Sequence, residues 1–209
     1  MSLSPSFLHR DIAGYLEALS SGSPAPGGGS AAGLAGALGC SLGAMVCNLT
    51  LARTNDESVA ELRQVLLELQ QALLRSAEAD EQVFRAYRAA IAQPRSTDAE
   101  KSIRRAAIET ALVDAAEVPV EMVTLGLQAL AALRDAAAVG TPHALGDLHT
   151  AGYLLQAMML GATENIASNA ALMKDPDNRE KYERAATSAR DDLDVAMSAL
   201  HQAITSRTS

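Results

Sequence analysis

Apolar residues recur at helical spacing along almost the whole chain. Leu8, Ile12, Tyr15, Leu16 and Leu19 mark one face of a first helix, which Ser20-Ser21-Gly22 stops. A second helix is predicted from Ala31 to Ala52 with Ser30 as its N-cap. Its Gly36, Cys40, Gly43 and Cys47 form a stripe of small side chains that admits a close neighbour, and Leu34, Leu38, Met45 and Leu49 form a bulky stripe opposite. Both stripes want burial, so this helix is expected at the centre of the core with neighbours all round. Asp56 caps a third, long helix to about Ala92, with Val59, Leu62, Leu66, Leu69, Leu73, Phe84 and Tyr87 as its apolar stripe, and Gln93-Pro94 ends it.

Thr97 with Glu100 makes a capping box for a fourth helix, whose inner face runs through Ile103, Ala107, Thr110 and Val113 to Glu117. Pro119 is expected to kink it or start a new helix through Val120, Val123, Leu127, Leu130 and Leu133. Gly140-Thr141-Pro142 closes that segment. Asp147 stands just before the next helical pattern (Leu148, Gly152, Leu155, Met159, Ala162, Ile166, Met173), and Pro176 terminates it. Asp177 and Glu180 form a second capping box for a last helix carrying Tyr182, Ala186, Ala189, Leu193, Met197, Leu200 and Ile204 inward. No segment alternates with period two for long enough to be a strand. The predicted class is all-α, one domain over residues 1–209, a bundle of about six to seven helices around the glycine-rich one.

The loop ahead of the second helix carries the chemistry. In Pro24-Ala25-Pro26-Gly27-Gly28-Gly29-Ser30, two prolines set φ and remove donors while three glycines open conformations barred to other residues. Its free N–H groups would emerge at the positive end of a helix dipole, which suits an anion.

Several polar residues occupy positions where apolar ones belong. The inner stripe of the third helix steps through Leu69, Leu73, Ser76, Asp80, Phe84 and Tyr87, placing a carboxylate in the buried register. Asp80 therefore needs a partner, a raised pKa or a wet cleft. A structural ion pair with Arg105 is one reading, and a catalytic carboxylate is the other. Asn165 and Asn169 stand one turn apart on a buried face and need hydrogen-bond partners, either bridging neighbouring backbone or meeting a ligand. Asn48 with Thr50 is the same kind of case, and Asp147 is either an N-cap or part of a site.

The bulk numbers narrow the classes. Net charge −8, a pI of about 5.0 and no basic patch argue against nucleic acid or anionic membrane as partner, and 3% aromatic content without Trp offers no stacking platform. The uncharged run after the glycines is long enough for a membrane span. It is weakly hydrophobic, carries Ser41 and Asn48 and lacks an aromatic belt, so a core helix is the better reading. Cys40 and Cys47 lie about 10 Å apart along one helix, too far to bridge, and no secretory leader is evident, which points to a reduced cytoplasmic protein. His9, His143, His149 and His201 are scattered without ligand spacing, so no metal is expected. The glycine loop lacks the Lys of a nucleotide-hydrolase phosphate loop, and no serine elbow or Cys–His pairing is present.

With those residues in view, Pro24 to Ser30, continuing through Gly36-Ala37-Leu38 to Met45-Val46-Cys47-Asn48-Leu49-Thr50, resembles the opening signature of the formiminotransferase-cyclodeaminase C-terminal family, which includes stand-alone methenyltetrahydrofolate cyclohydrolases. Asp80 to Phe84 resembles its Asp-x-x-x-Phe element, Arg105-Ala106-Ala107-Ile108 and Glu117-Val118-Pro119 its central helix, and Asn165 to Asn169 with Lys174-Asp175 its late helix. The resemblance implies an all-helical subunit forming tight homodimers, with folate bound near the glycine loop and the subunit contact. It implies cyclodeamination of 5-formiminotetrahydrofolate or hydrolysis of 5,10-methenyltetrahydrofolate, with the folate as substrate and no added cofactor. Under it, Asp80 is general base or cation stabiliser, and Asn165 and Asn169 orient the pterin or water. The substrate-binding set is Gly27, Gly28, Gly29, Ser30, Asn48, Thr50, Arg105 and Asp147. The chain departs from the family at Leu51-Ala52-Arg53-Thr54-Asn55 and at Gly140-Thr141 and Gly146-Asp147. The alternatives are a non-catalytic folate-binding relative and a helical interaction protein.

Overall fold

The computed structural model describes residues 11–207, so Leu8 and His9 lie outside it. Among the described residues six α-helices follow one another: α1 (Ile12–Ser20), α2 (Gly28–Leu51), α3 (Glu57–Ile91), α4 (Asp98–Val139), α5 (Leu145–Leu172) and α6 (Pro176–Thr205). A 3-10 turn, Pro142–Ala144, precedes α5, and there is no strand among the described residues.

The small-residue stripe of α2 sets the architecture. A Cβ on Gly33 would meet Ala77 at 2.7 Å, one on Gly39 would meet the Ala151 carbonyl at 2.9 Å, and one on Gly43 would meet Leu133 Cδ2 at 2.3 Å. Helices α3, α4 and α5 therefore press against α2 at distances that only a missing side chain permits. From Gly29 to Gly43 the partners on α3 run back from Asp80 to Leu66, and those on α5 run back from Met158 to Ala151 beside Gly36 and Gly39. Both neighbours are thus antiparallel to α2. Helix α6 closes the other side of α4 and α5, burying Tyr182, Leu193 and Leu200 in the same core cluster as Cys40, Leu66, Leu133 and Leu155.

The bulky stripe of α2 departs from expectation. Leu38, Met45 and Leu49 stand 51%, 37% and 45% exposed, so α2 is enclosed on its small face and open on its large one. On α1 only Tyr15 is buried, and Ile12 and Leu16, expected to face inward, face outward. Phe84 and Tyr87 are half-buried and border a cleft instead of joining the core stripe.

The helix ends hold both agreements and corrections. Asp56 caps α3 through the Ser58 N–H, and Thr97 with Glu100 forms the reciprocal box that opens α4. Ser30 is not a cap, because α2 begins at Gly28 with Gly27 as N-cap. Asp147 sits inside the first turn of α5 and is not its cap. Helix α6 starts at Pro176 on an Asp175 cap, so Asp177 lies in the first turn. No glycine among the described residues has positive φ; Gly27 is extended and Gly28 and Gly29 are helical. Of the three, Gly29 serves close approach, to Asp80, and none serves unusual backbone.

Helix α4 runs through Pro119 without a break. Proline offers no N–H to the carbonyl four residues back, which is that of Ala115. Asn169 of α5 fills the gap, its Nδ2 donating to the Ala115 carbonyl at 2.9 Å.

Candidate active site

A cleft of about 300 Å³ opens where the start of α2 meets the middle of α3, the middle of α4 and the end of α5, large enough for part of a small organic ligand. Its floor is Gly27, Gly28 and Gly29, and Asp80 and Glu81 stand beside them on α3. Phe84 and Tyr87, one and two turns further along α3, present ring surface on one wall, and Asn165, Ser168 and Asn169 of α5 face them across it.

Asp80 is held by the helix entrance. The first helical bond of α2 runs from the Ala31 N–H to the Gly27 carbonyl, so the N–H groups of Gly28, Gly29 and Ser30 precede the ladder. The Ser30 N–H donates to Asp80 Oδ2 at 3.1 Å. The anion that the glycine loop was expected to attract from outside is, at Ser30, the chain's own carboxylate. Gly29 is what allows it, since a Cβ there would lie 2.1 Å from Asp80 Oδ1 and 2.4 Å from its Cγ.

Burial is the largest influence on the Asp80 carboxyl and pushes its pKa up; the Ser30 N–H opposes the shift and the charge of Glu81 adds to it. Ser30 is fully buried behind the cleft floor, and its Oγ shares a 3.2 Å hydrogen bond with the Tyr15 hydroxyl of α1. Burial also raises the Tyr15 pKa, with Ser30 opposing.

Asn169 has one half of its amide committed to the Ala115 carbonyl, which leaves Oδ1 for the cleft and fixes the plane of the group. Asn165 lines the cleft with no side-chain hydrogen bond to another described residue. A wall of one half-held and one unheld amide, two aromatic rings and a carboxylate on a helix N-terminus can bind a flat polar heterocycle and move a proton at its edge.

Comparison with known proteins places the chain in a family and a fold. The sequence model of the family described as formiminotransferase-cyclodeaminase matches residues 11–188. The chain belongs to the formiminotransferase-cyclodeaminase family. Over 160 residues this family member is 34% identical to the methenyltetrahydrofolate cyclohydrolase of Methylorubrum extorquens, covering 75% of this chain and 77% of that one. Over 180 residues it is 31% identical to the formimidoyltransferase-cyclodeaminase of Mus musculus, covering 84% of this chain and 33% of that longer one. The chain therefore spans about a third of that relative. The structure of formiminotetrahydrofolate cyclodeaminase from Thermotoga maritima shares its fold, with a TM-score of 0.81 over 97% of this chain and 99% of that one at 19% identity.

Within the family member, the predicted site residues divide by position. Gly27, Gly28, Gly29, Asp80, Asn165 and Asn169 come together at the cleft. Ser30 backs it without lining it. Asn48 and Thr50 lie at the far end of α2, about 30 Å from the glycines at 1.5 Å per residue. There Thr50 is a structural clasp, donating to the Val46 carbonyl and accepting from the Thr141 N–H, and Asn48 is exposed and meets Arg63 at 3.4 Å. Asp147 belongs to that far end too, because α5 runs antiparallel to α2. Arg105 is exposed on α4, does not line the cleft and makes no ion pair with Asp80.

Three participants gave little sign of themselves in the sequence. Glu81 sits next to Asp80 but off the apolar stripe, and with Arg85 four residues on it has the pattern of a solvated pair. Tyr15 has the look of an ordinary core aromatic. The match of Asn169 to the Ala115 carbonyl freed by Pro119 joins positions 54 residues apart and leaves no local signature.

Proposed function

We propose that the chain is a folate one-carbon enzyme acting on the carbon carried between N5 and N10, by cyclodeamination of 5-formiminotetrahydrofolate, by hydrolysis of 5,10-methenyltetrahydrofolate, or by both. The observation that carries this reading is Asp80: a desolvated carboxylate, fixed by the Ser30 N–H over a glycine floor, beside two ring faces in a cleft of a family whose relatives bear those activities.

The two reactions share their demands. In cyclodeamination N10 attacks the formimino carbon, the tetrahedral carbon forms, and nitrogen leaves as ammonia after gaining a proton. In hydrolysis water adds to the same carbon after giving up a proton, and the bond to N5 breaks to leave the formyl group on N10. Each needs one group to take a proton and return it, and Asp80, its pKa raised above the ordinary carboxylate value by burial, suits that role and also balances the cationic methenyl carbon. Asn165 and the free half of Asn169 orient the ring or the attacking water. The folate is the substrate and no further cofactor enters the scheme.

The proposed working form is a cytoplasmic homodimer. Supporting it are the uncharged, outward Leu38, Met45 and Leu49 on α2, and two free buried cysteines, of which Cys40 has its thiol pushed up to about 12 by burial. Sedimentation of the wild type against Leu38→Glu tests the dimer: a shift to monomer supports this face, and an unchanged dimer removes it.

Following the loss of methenyltetrahydrofolate absorbance, and separately ammonia release from 5-formiminotetrahydrofolate, tests the function. Turnover in either assay supports it. Binding without turnover in both assigns the chain as a non-catalytic relative, and no binding of any reduced folate refutes the reading.

A further inference from the structure

Glu81 is 6% exposed, yet its only charged partner among the described residues, Arg85, reaches Oε2 from a side chain that is 52% exposed. The other oxygen, Oε1, is buried without a hydrogen-bond partner among the described residues, on a side chain that lines the cleft. An i,i+4 pair on a helix surface accounts for neither fact, because such a pair needs no burial and stabilises little. A buried acceptor without a donor is unfavourable, and one kept in a native chain calls for a donor from a water, an ion or a ligand, of which a cleft-lining residue can meet the last.

Resting on the folate reading above, we infer that Glu81 Oε1 accepts a hydrogen bond from the 2-amino edge of the substrate's pyrimidine ring. Reduced folates carry their N–H donors at that edge, on the 2-amino group and N3. The opposite end of the molecule is a glutamate carboxylate, which Asp80 and Glu81 together repel. The pyrimidine therefore seats at the glycine end of the cleft, and the tail leaves along α3 past Phe84 and Tyr87. Arg85 holds Oε2 at 3.0 Å, so the carboxylate is oriented and Oε1 is left without a donor among the described residues. Glu81 is in this account a specificity-determining residue, with the proton chemistry left to its neighbour Asp80.

The test compares Glu81→Gln with the wild type. A glutamine turns its carbonyl toward Arg85 and its NH2 toward the cleft, setting donor against donor. KM for the turned-over folate is expected to rise about tenfold or more while kcat stays within about threefold, the pattern of lost ground-state binding. Independently of any variant, the wild type is expected to bind a 2-amino pteridine about tenfold or more tightly than its 2-methyl analogue, a preference Glu81→Gln reduces to about twofold or less. Equal affinity of the wild type for the two analogues overturns the assignment, as does a folded Glu81→Gln with unchanged KM and unchanged preference; in both cases folate turnover by the wild type would persist. A wild type that binds no reduced folate would sink the functional reading and this assignment together.

Discussion

Gly29→Ala tests the close approach at the heart of the site. The new methyl would lie 2.1 Å from Asp80 Oδ1 and 2.4 Å from Cγ, so the carboxylate must retreat by about 1 Å or more to restore van der Waals contact. Asp80 is short and emerges from the middle of a packed helix, so the retreat swings it away from the Ser30 N–H. Losing one charge-assisted bond costs about 1.5–3 kcal/mol, and alanine returns up to about 1 kcal/mol over glycine in a helix. The net loss of about 1–2 kcal/mol lowers Tm by roughly 2–8 °C, which leaves the protein folded at 25 °C. Activity falls much further, because a displacement of about 1 Å at a reacting group costs on the order of 100-fold. The assay is kcat/KM for folate turnover beside a circular-dichroism melt, with Gly146→Ala as control, since a Cβ there meets nothing within 4 Å. Wild-type kcat/KM in Gly29→Ala would refute the reasoning.

Four further outcomes follow from the same contacts. Asn169→Ala strands the Ala115 carbonyl and costs about 1–3 kcal/mol; adding Pro119→Ala supplies a helix N–H in its place, so a double-mutant cycle of denaturant melts should show recovery of stability without recovery of turnover. Gly43→Ala drives a methyl to 2.3 Å from Leu133 Cδ2, some 20 Å along α2 from the cleft, so it should lower stability by about 1–3 kcal/mol and leave KM unchanged. Because burial raises the Asp80 pKa, the folded state holds that proton more tightly than the unfolded chain, and this group's contribution falls as pH rises from the ordinary carboxylate value through the folded one. Asp80→Asn should therefore melt no lower than wild type at pH 7, and the stability gap between them should narrow below pH 4. With Asp80 as base, the acidic limb of log kcat against pH should sit above the value of an exposed aspartate, a result that titration of turnover checks directly.

Much of the architecture was legible because helical periodicity is strong in long segments. The caps at Asp56 and at Thr97 with Glu100 stand where local chemistry puts them. Asp80 announced itself as a charge in an apolar register, and the cleft beside it is what such a residue requires. Other features depend on the fold and not on spacing. Ser30 reads as a cap by residue type, but the helix starts three residues earlier, at Gly28, because Gly28 and Gly29 are accommodated within it and Asp80 meets the Ser30 N–H from another element. Thr50 and Asn48 follow the glycine signature so closely in sequence that they appear part of one site, yet a straight helix carries them to the opposite end. The bulky stripe of α2 shows periodicity's blind spot: spacing identifies an apolar face and does not say whether this chain or another covers it.

The central claim is that the α3 carboxylate facing the glycine floor performs the proton transfer. Single-turnover decay of methenyltetrahydrofolate absorbance by Asp80→Asn, at protein concentrations above the measured Kd and alongside the wild type, addresses it without ambiguity from binding. The account predicts that the bound folate persists at least about 100-fold longer on the variant than on the wild type. Decay at the wild-type rate would contradict it.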